Sequence, residues 1–597
     1  YAFMNDPLTQ YNLEENQMVR DSITVNDNVR ENMGSGHSNY VDGNVQLNRR
    51  LMKPGRNVTL NMGGAYSHSE NESFSRAEIN YYRKGGSDFT NQFNLSPSTS
   101  YNYQGQVSYA EPIIGGLSLQ ASYQFQYRFS DNDRSMYSID SLLTKYEGYY
   151  TQEQLYLGYL PGLDSLNYVK NVENSQYATY KEYNQDIRLM LRFIQGEQIR
   201  LNMGASLQPQ TTHMDYTKHM LDTTVVRHIM NWSPRIDFRW KISNTSQLRV
   251  RYNGRMSQPS MTDLLEVTDN SNPLNISTGN AGLESSWTNR FNIFYNNFIT
   301  DRQMGWMVNA DYSQMKNDIR SATIYNTETG ARYTRPMNID GNWNTNMHLM
   351  FNSALGPQKY FNVHTFTSIN YANNVGYQSS NSDGREWGDI FNPDGTVDMD
   401  KIFRNTPLDK STTKTTSVNE NLRLNFRNDF LELGVNGGLN YMHAYNKVQT
   451  NANLDTWTFN YGGNMNINFP WSMQLASDIS KQSRRGYDDA SMNTDELIWN
   501  AQLSQSFLKK KTLTLSVQWY DILRQRSNIS RSISATMRSD SWQRAINSYV
   551  MFHVIYQLNL LGNKETRAQG MPVPGMGGPG GRGGNRGGGG GWGGPRF

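Results

Sequence analysis

Apolar and polar side chains alternate with a period of two from about residue 39 almost to residue 560, and no run of ~18 apolar residues occurs anywhere. Successive side chains of an extended chain point to opposite faces, so this period commits the chain to strands. The absence of a long apolar run excludes a helical membrane protein. The stretch from Asn244 to Thr300 shows the pattern most fully. On its first strand Leu248, Val250, Tyr252 and Met256 alternate with Gln247, Arg249, Arg251, Asn253 and Arg255. On its second, Trp287, Phe291, Ile293 and Tyr295 alternate with Thr288, Arg290, Asn292 and Asn296. Asn289 and Phe294 break the alternation, each on the face opposite its chemistry. A polar loop, Gln258 to Glu284, joins the two strands.

The same grammar repeats along the chain. Strands are predicted near 38–52, 58–66, 98–111, 116–130, 177–194, 197–213, 225–242, 246–258, 285–300, 303–322, 342–355 and 359–375. Others follow near 412–428, 431–445, 455–469, 471–485, 494–508, 511–525 and 541–560. Short turns such as MKPGR (52–56) and PIIGG (112–116) alternate with long polar connections at 70–97, 130–176, 214–224, 259–284, 323–341 and 376–411. A soluble sandwich has no reason to sort loop lengths onto two ends. An up-and-down membrane barrel does, with short turns inside and long loops outside. The fold class is therefore all-β: a large antiparallel up-and-down transmembrane β-barrel.

Composition agrees. Hydrophobic residues are 36% of the chain and mean hydropathy is −0.73, which a barrel tolerates because only alternate strand residues meet lipid. The 37 Tyr and 12 Trp suit membrane–water interfaces. A charge facing lipid at mid-membrane costs about 2–4 kcal/mol. Arg249, Arg251 and Arg255 therefore belong on the lumen face. There they pair with acidic groups of a plug or of neighbouring strands; contact with an anionic solute is the sharper alternative.

No residue pattern points to catalysis, a metal or a cofactor. Without cysteine, thiol chemistry, Cys-ligated metals and disulfides are all excluded. His213, His219 and His228 lack zinc spacing, and Asp394, Asp398 and Asp400 lack the spacing of a known calcium loop. After Leu561, Lys564, Arg567, Arg582, Arg586 and Arg596 face one acid, Glu565. Five cations against one acid give the tail +4, which leaves −1 for the rest of a total of +3. The body is not a nucleic-acid-binding surface. Sixteen of the 49 glycines lie in this tail, which has few side chains to bury and is expected to be disordered.

The run RMSQPSMTDLLEVTDNSNPLNISTGNAGLESSWTNRFNIFY (255–295) resembles the strand–loop–strand pattern of TonB-dependent receptors. Arg255, Pro259, Asn272, Pro273, Leu274, Gly279, Asn280, Leu283 and Glu284 carry the likeness. The Gly- and Arg-rich tail resembles that of the outer-membrane β-barrel subgroup. The resemblance implies an outer-membrane protein of a Gram-negative bacterium, taking up a nutrient too large for porins. It implies outer-membrane lipid, a plug domain and an inner-membrane energy-coupling complex as partners, with a surface lipoprotein as an optional one. The outer loops would form the binding mouth, with Tyr146, Tyr149, Tyr150, Tyr377 and Trp387 available for stacking. A scaffold barrel within an envelope assembly complex is the alternative.

Three regions are expected: an outer loop or incomplete part at 1–37, the barrel at 38–561, and the tail at 562–597. About nineteen strands are counted, whereas single-chain bacterial barrels have even numbers. Plugged receptors have ~22 strands, so three strands and a plug are expected upstream of residue 1.

Overall fold

The computed structural model describes residues 2–20, 23–145, 147–149, 151, 166–219, 221–270, 272–379, 397–448, 453–488, 490–508, 511–533, 538–542 and 546–557. The chain is a succession of antiparallel strands. The first nine are Ala2–Arg20 (β1), Ile23–Arg50 (β2), Asn57–Tyr81 (β3), Ser87–Ile114 (β4), Leu117–Ser138 (β5), Gln176–Gln195 (β6), Ile199–Lys218 (β7), Leu221–Lys241 (β8) and Ser246–Ser257 (β9). A short strand, Asn275–Ser277 (β10), precedes Ser286–Ile299 (β11), Met304–Lys316 (β12), Asp318–Tyr325 (β13), Arg332–Ile339 (β14), Trp343–Leu355 (β15) and Phe361–Gln378 (β16). The remainder are Asp409–Arg427 (β17), Leu431–Asn446 (β18), Leu454–Asn468 (β19), Met473–Arg485 (β20), Asp495–Phe507 (β21), Leu513–Tyr520 (β22), Ile529–Ile533 (β23), Arg538–Trp542 (β24) and Tyr549–Tyr556 (β25). Among the described residues the short helices Ile139–Lys145 (α1) and Met399–Asn405 (α2) lie in outer segments. No helix among the described residues is long and apolar enough to cross a membrane.

Among the described residues the main sheet has 23 strands. Setting aside β10, β13 and β14, which cap the outer mouth, twenty form the wall, one more than the nineteen read from the sequence. Each pairs with its chain neighbour, and β11 joins β9 while β12 joins β15 across the cap. The 1–37 region differs from expectation. It is a paired hairpin, with β1 matched to β2 from Ala2↔Asp42 onward. The strand expected at 38–52 is the inner half of β2, paired with β3 as far as Arg50 and with β1 only as far as Asp42. Among the described residues β1 pairs only with β2, and β25 only with β22.

The reason for the difference is strand height. A membrane crossing needs about 9–11 residues, but β2 and β4 have 28 each. Their outer halves stand clear of lipid, both faces meet water or the cap, and the apolar–polar contrast vanishes. The connection expected at 70–97 is accordingly strand up to Tyr81 and again from Ser87, and that expected at 214–224 is strand except at its tip.

Within the membrane the outward face is apolar. Val107, Tyr123, Ile187 and Leu207 are exposed and sit in register across β4 to β7. An aromatic girdle crosses the wall from Tyr252 through Phe291, Tyr312 and Trp343 to Tyr371, with successive ring centroids 4.8, 6.3, 5.9 and 5.0 Å apart. Asn289, the misplaced amide, lies in this girdle. Its Oδ1 accepts from Tyr252 Oη at 3.0 Å and from Trp287 Nε1 at 2.9 Å, so two interface aromatics satisfy it.

One short inner turn shows how the ends are held. Arg56 donates from Nε and Nη2 to Glu111 at 2.7 and 2.8 Å, and Lys53 donates to the same carboxylate at 3.0 Å. Glu111 follows the interface residue Tyr109 on the outward face. Its hydrogen bonds with Arg56, Tyr109 and Lys53 hold its pKa down at about 2. A depressed carboxylate pKa stabilises above the unfolded-state value and is lost as pH falls toward the folded-state one. Amide exchange in the 51–56 turn is therefore expected to speed up as pH drops from 5 to 2, after correction for intrinsic exchange. In Glu111→Gln that extra acceleration should be absent; an unchanged profile would remove the clamp.

Candidate functional site at the outer mouth

The described residues form three small hydrophobic clusters, all at the outer end. The first gathers Phe74, Phe93, Tyr137, Ile139 and Leu142 with Leu166 and Val169, seating α1 on β3 to β5. The second gathers Ile276, Ile324, Ala331, Tyr333, Met399 and Ile402, binding β10, the β13–β14 hairpin and α2 into one cap. The third packs Met261 on Ala178, Met214 and Tyr216, so the 258–285 loop folds inward onto β6 and β7.

The β13–β14 hairpin crosses the bore. It leaves the wall between β12 and β15, and β10 adds to it in parallel at Asn275↔Arg332. Its tip meets the opposite wall: Asn26 on β2 donates to the Thr329 carbonyl at 2.7 Å, and Arg83 donates to the Thr327 carbonyl at 3.3 Å. Gly330 has φ +74°, and a Cβ there would stand 2.7 Å from Met18 Sδ. From β2 to β12 is nine strand spacings, roughly 43 Å along the wall at ~4.8 Å each. A hairpin arm of eight residues spans only about 27 Å. The hairpin is thus a chord across the barrel.

Polar latches hold the cap to the wall. Arg134 on β5 pairs with Asp269 at 3.4 Å, and Lys218 on β7 donates to the Thr268 carbonyl at 2.9 Å. Arg335 on β14 joins Glu266 at 3.1 Å and Asp400 at 3.2 Å. Burial pushes the Lys218 ammonium pKa down and the Tyr180 and Tyr216 hydroxyl pKa values up.

The motif residues of 255–284 build this loop. The Pro259 carbonyl accepts from Arg227 at 3.3 Å. Asn272 Oδ1 accepts from the Leu274 amide at 3.0 Å and holds the turn that contains Pro273. At Gly279 a Cβ would lie 2.7 Å from the Asp263 carbonyl oxygen and closer still to that of Leu265. Asn280 donates to the Pro336 carbonyl at 3.0 Å, tying the loop to β14. Arg255, opposite Thr288, makes no ion pair among the described residues.

Arg249 and Arg251 lie lower, alternating along β9 with Leu248, Val250 and Tyr252. Arg249 pairs with Asp237 of β8 through two hydrogen bonds. Arg251 donates to Asn292 at 3.1 Å, which donates to Asn309 at 2.7 Å, which donates to Asp311 at 3.1 Å. This is a polar ladder along the inner wall.

Of the rim aromatics, Tyr149 is 80% exposed beyond α1, and Tyr377 sits in β16 opposite Lys410. The strands β6 to β15 separate them, and no contact joins them among the described residues. Tyr146, Tyr150 and Trp387 lie outside the described residues, as do Asp394 and the tail. Asp398 caps α2 through the Lys401 amide at 2.9 Å, and Asp400 is held by Arg335. Among the described residues no group of three acidic or His side chains is arranged to hold a metal. His228 contacts Thr211 at 3.0 Å, and His213 packs edge-on against Tyr183. The bore-crossing contacts had no visible signal in sequence, because Asn26 and Thr329 lie 303 positions apart.

A tall antiparallel wall with a lipid-facing girdle, a polar lumen and a capped outer mouth defines an outer-membrane barrel. Residues 49–403, well over half of the chain, match the outer membrane protein beta-barrel family, and the chain belongs to that family. No curated protein matches it. Similar solved structures include the copper transporter OprC, at 7% identity and TM-score 0.39 over 93% of this chain and 81% of that one. The ferric citrate transporter FecA, unliganded, aligns at 11% identity and TM-score 0.41 over 93% and 73%. The ferric yersiniabactin uptake receptor FyuA from Yersinia pestis aligns at 9% identity and TM-score 0.37 over 92% and 80%. The protein resides in the outer membrane of a Gram-negative bacterium.

Proposed function

We propose that this chain is the barrel of a TonB-dependent receptor that takes up a nutrient too large for porins. One observation carries the reading: the bore is crossed by the β13–β14 hairpin, anchored to the far wall at Asn26 and Arg83. A porin leaves an aqueous channel open. A mouth closed by a latched cap instead admits a solute that binds it and shifts the cap. The plug and the energy-coupling complex come with the family reading, as does a ligand role for the rim aromatics Tyr149 and Tyr377.

In the native host, deletion of the gene is expected to abolish growth on at least one limiting nutrient above the porin size limit. A protonophore should stop its uptake in the parent strain. In planar bilayers the purified protein should stay closed. Steady conductance of porin size, or growth unaffected by deletion on every nutrient tried, contradicts the proposal. Replacing residues 379–408 with a short Gly-Ser linker removes Met399 and Ile402 from the cap. Nutrient binding should then be lost while the protein still migrates faster on gels unboiled than boiled; unchanged affinity would take this loop out of the site.

A further inference from the structure

The inner wall beside the cap holds a cavity of about 420 Å³ that neither the motif loop nor the bore-crossing hairpin fills. It opens among β3 to β7, with Thr262 of the 258–285 loop closing one side. Its origin is legible in the wall. Between Leu95↔Ser135 and Ser98↔Asn132 two residue pairs drop out of the β4–β5 ladder, and Pro97 stands there on β4. Proline has no amide hydrogen to donate, and the ladder lapses here toward β5 while the Glu70↔Pro97 pairing toward β3 persists.

The chemistry of the lining selects a ligand. Amides come from Asn71, Asn132 and Gln176, and a broad ring face from Tyr180. The one cation in the lining, Arg134, pairs with Asp269 and donates to the Asn174 carbonyl at 3.3 Å through Nη2, while its Nε is buried without a partner among the described residues. The one acid, Asp133, accepts from Ser135 Oγ at 3.1 Å. Neighbouring Lys218 is spent on the Thr268 carbonyl. The lining thus carries one cation and one acid, no net charge to select an ion, and both can bind neutral hydroxyls. Neutral donors and acceptors beside aromatic rings suit a ligand that alternates hydroxyl groups with C–H faces. The volume lies within the roughly 300–1,000 Å³ of small-molecule sites.

We infer that the cavity beneath Thr262, between Asn71, Asn132, Gln176 and Tyr180, is a binding subsite for a neutral glycan of one or two sugar rings. The inference deepens the uptake reading and rests on it for its purpose, though the site stands or falls separately. The amide side chains hydrogen-bond the sugar hydroxyls, and the Tyr180 ring stacks on a C–H face. Because Thr262 belongs to the loop that carries the cap's latches, an occupant touches wall and cap at once.

The test is saturation-transfer NMR on the full chain in detergent micelles, with maltose, cellobiose, xylobiose and mannobiose as probes and glycyl-glutamine as a neutral peptide control. At least one disaccharide should bind. Thr262→Trp, which fills the cavity, and Tyr180→Ala, which removes the ring, should each weaken it tenfold or more. Gel mobility before and after boiling shows that both variants are folded. Asn132→Asp is the second handle, since it adds a charge without removing volume, and it should weaken the same probe. Binding of the dipeptide alone, no binding of any sugar, or sugar binding untouched by Thr262→Trp in a folded barrel overturns the assignment. If the sugar binds at this site but the deletion strain grows on it normally, the subsite stands and the uptake reading fails.

Discussion

Gly279→Val is expected to detach the 258–285 loop from the mouth while leaving the wall intact. A side chain at this position would run into the carbonyl oxygens of Asp263 and Leu265. Both are backbone atoms of a turn that the Asn280 amide closes at 2.6 Å from the Asp263 oxygen, so neither can swing aside. Overpacking of this kind costs about 1–3 kcal/mol even where side chains can give way, and here the obstacle is main chain. The loop must open, taking Met261 off Ala178 and Met214 and the Asn280 bond off Pro336. Limited proteolysis of the variant should cut between residues 261 and 284 at least tenfold faster than in the parent, with unboiled gel mobility unchanged. Equal cleavage rates would show that the loop is not held at Gly279.

The second large effect is expected at the outer ends of β20 and β21. Arg484 and Glu496 form an ion pair whose side chains are 8% and 4% exposed. Glu496 also accepts from the Ser527 amide at 3.1 Å and from Thr494 Oγ1 at 2.7 Å. Arg484 donates to Ser527 Oγ at 2.9 Å. The pair fastens the segment after β22 to the wall. Arg484→Met would leave a buried carboxylate without its cation, a change that costs about 3–5 kcal/mol. Amides from Asp521 to Ser527 should lose exchange protection, and thermal unfolding should begin earlier. The double variant Arg484→Met, Glu496→Leu removes both charges and should recover most of the loss. A single variant as stable as the parent would show that the pair is already solvated.

The membrane-crossing half of this fold was open to reading because lipid enforces a rule on every second residue. Val250 and Ile293, or Leu424 and Val435, alternate cleanly, and the structure pairs them in register. The same rule sets Arg249 and Arg251 apart from the apolar face, and Asp237 and Asn292 are their partners. Above the membrane the rule lapses. In β2 the stretch from Asn26 to His37 mixes Gly, Asn and charged residues on both faces, so a paired strand reads as a loop. Asn289 looked misplaced because its partners, Tyr252 and Trp287, become apparent only once the two strands are set side by side. The cap was least legible. Its contacts join Asn26 to Thr329 and Arg134 to Asp269, across separations of 303 and 135 positions, and no local pattern encodes such pairings. Pro97 inside β4 and Pro336 inside β14 were the available hints, since each marks an interrupted or edge ladder. The motif residues Gly279 and Asn280 carry a likeness in sequence; their work in fastening the loop to β14 shows only in the folded chain.

Cross-linking across the bore tests the central claim most directly. The chain has no cysteine, so Asn26→Cys with Thr329→Cys provides the only two thiols. In intact outer membranes a short bifunctional maleimide should join them in nearly every molecule, giving a compact species that keeps its mobility on boiling under non-hydrolysing conditions. Each single variant should give no such product. Failure to cross-link, with both thiols reacting freely with a membrane-impermeant maleimide, would show that the β13–β14 hairpin does not reach the far wall and that the mouth is open.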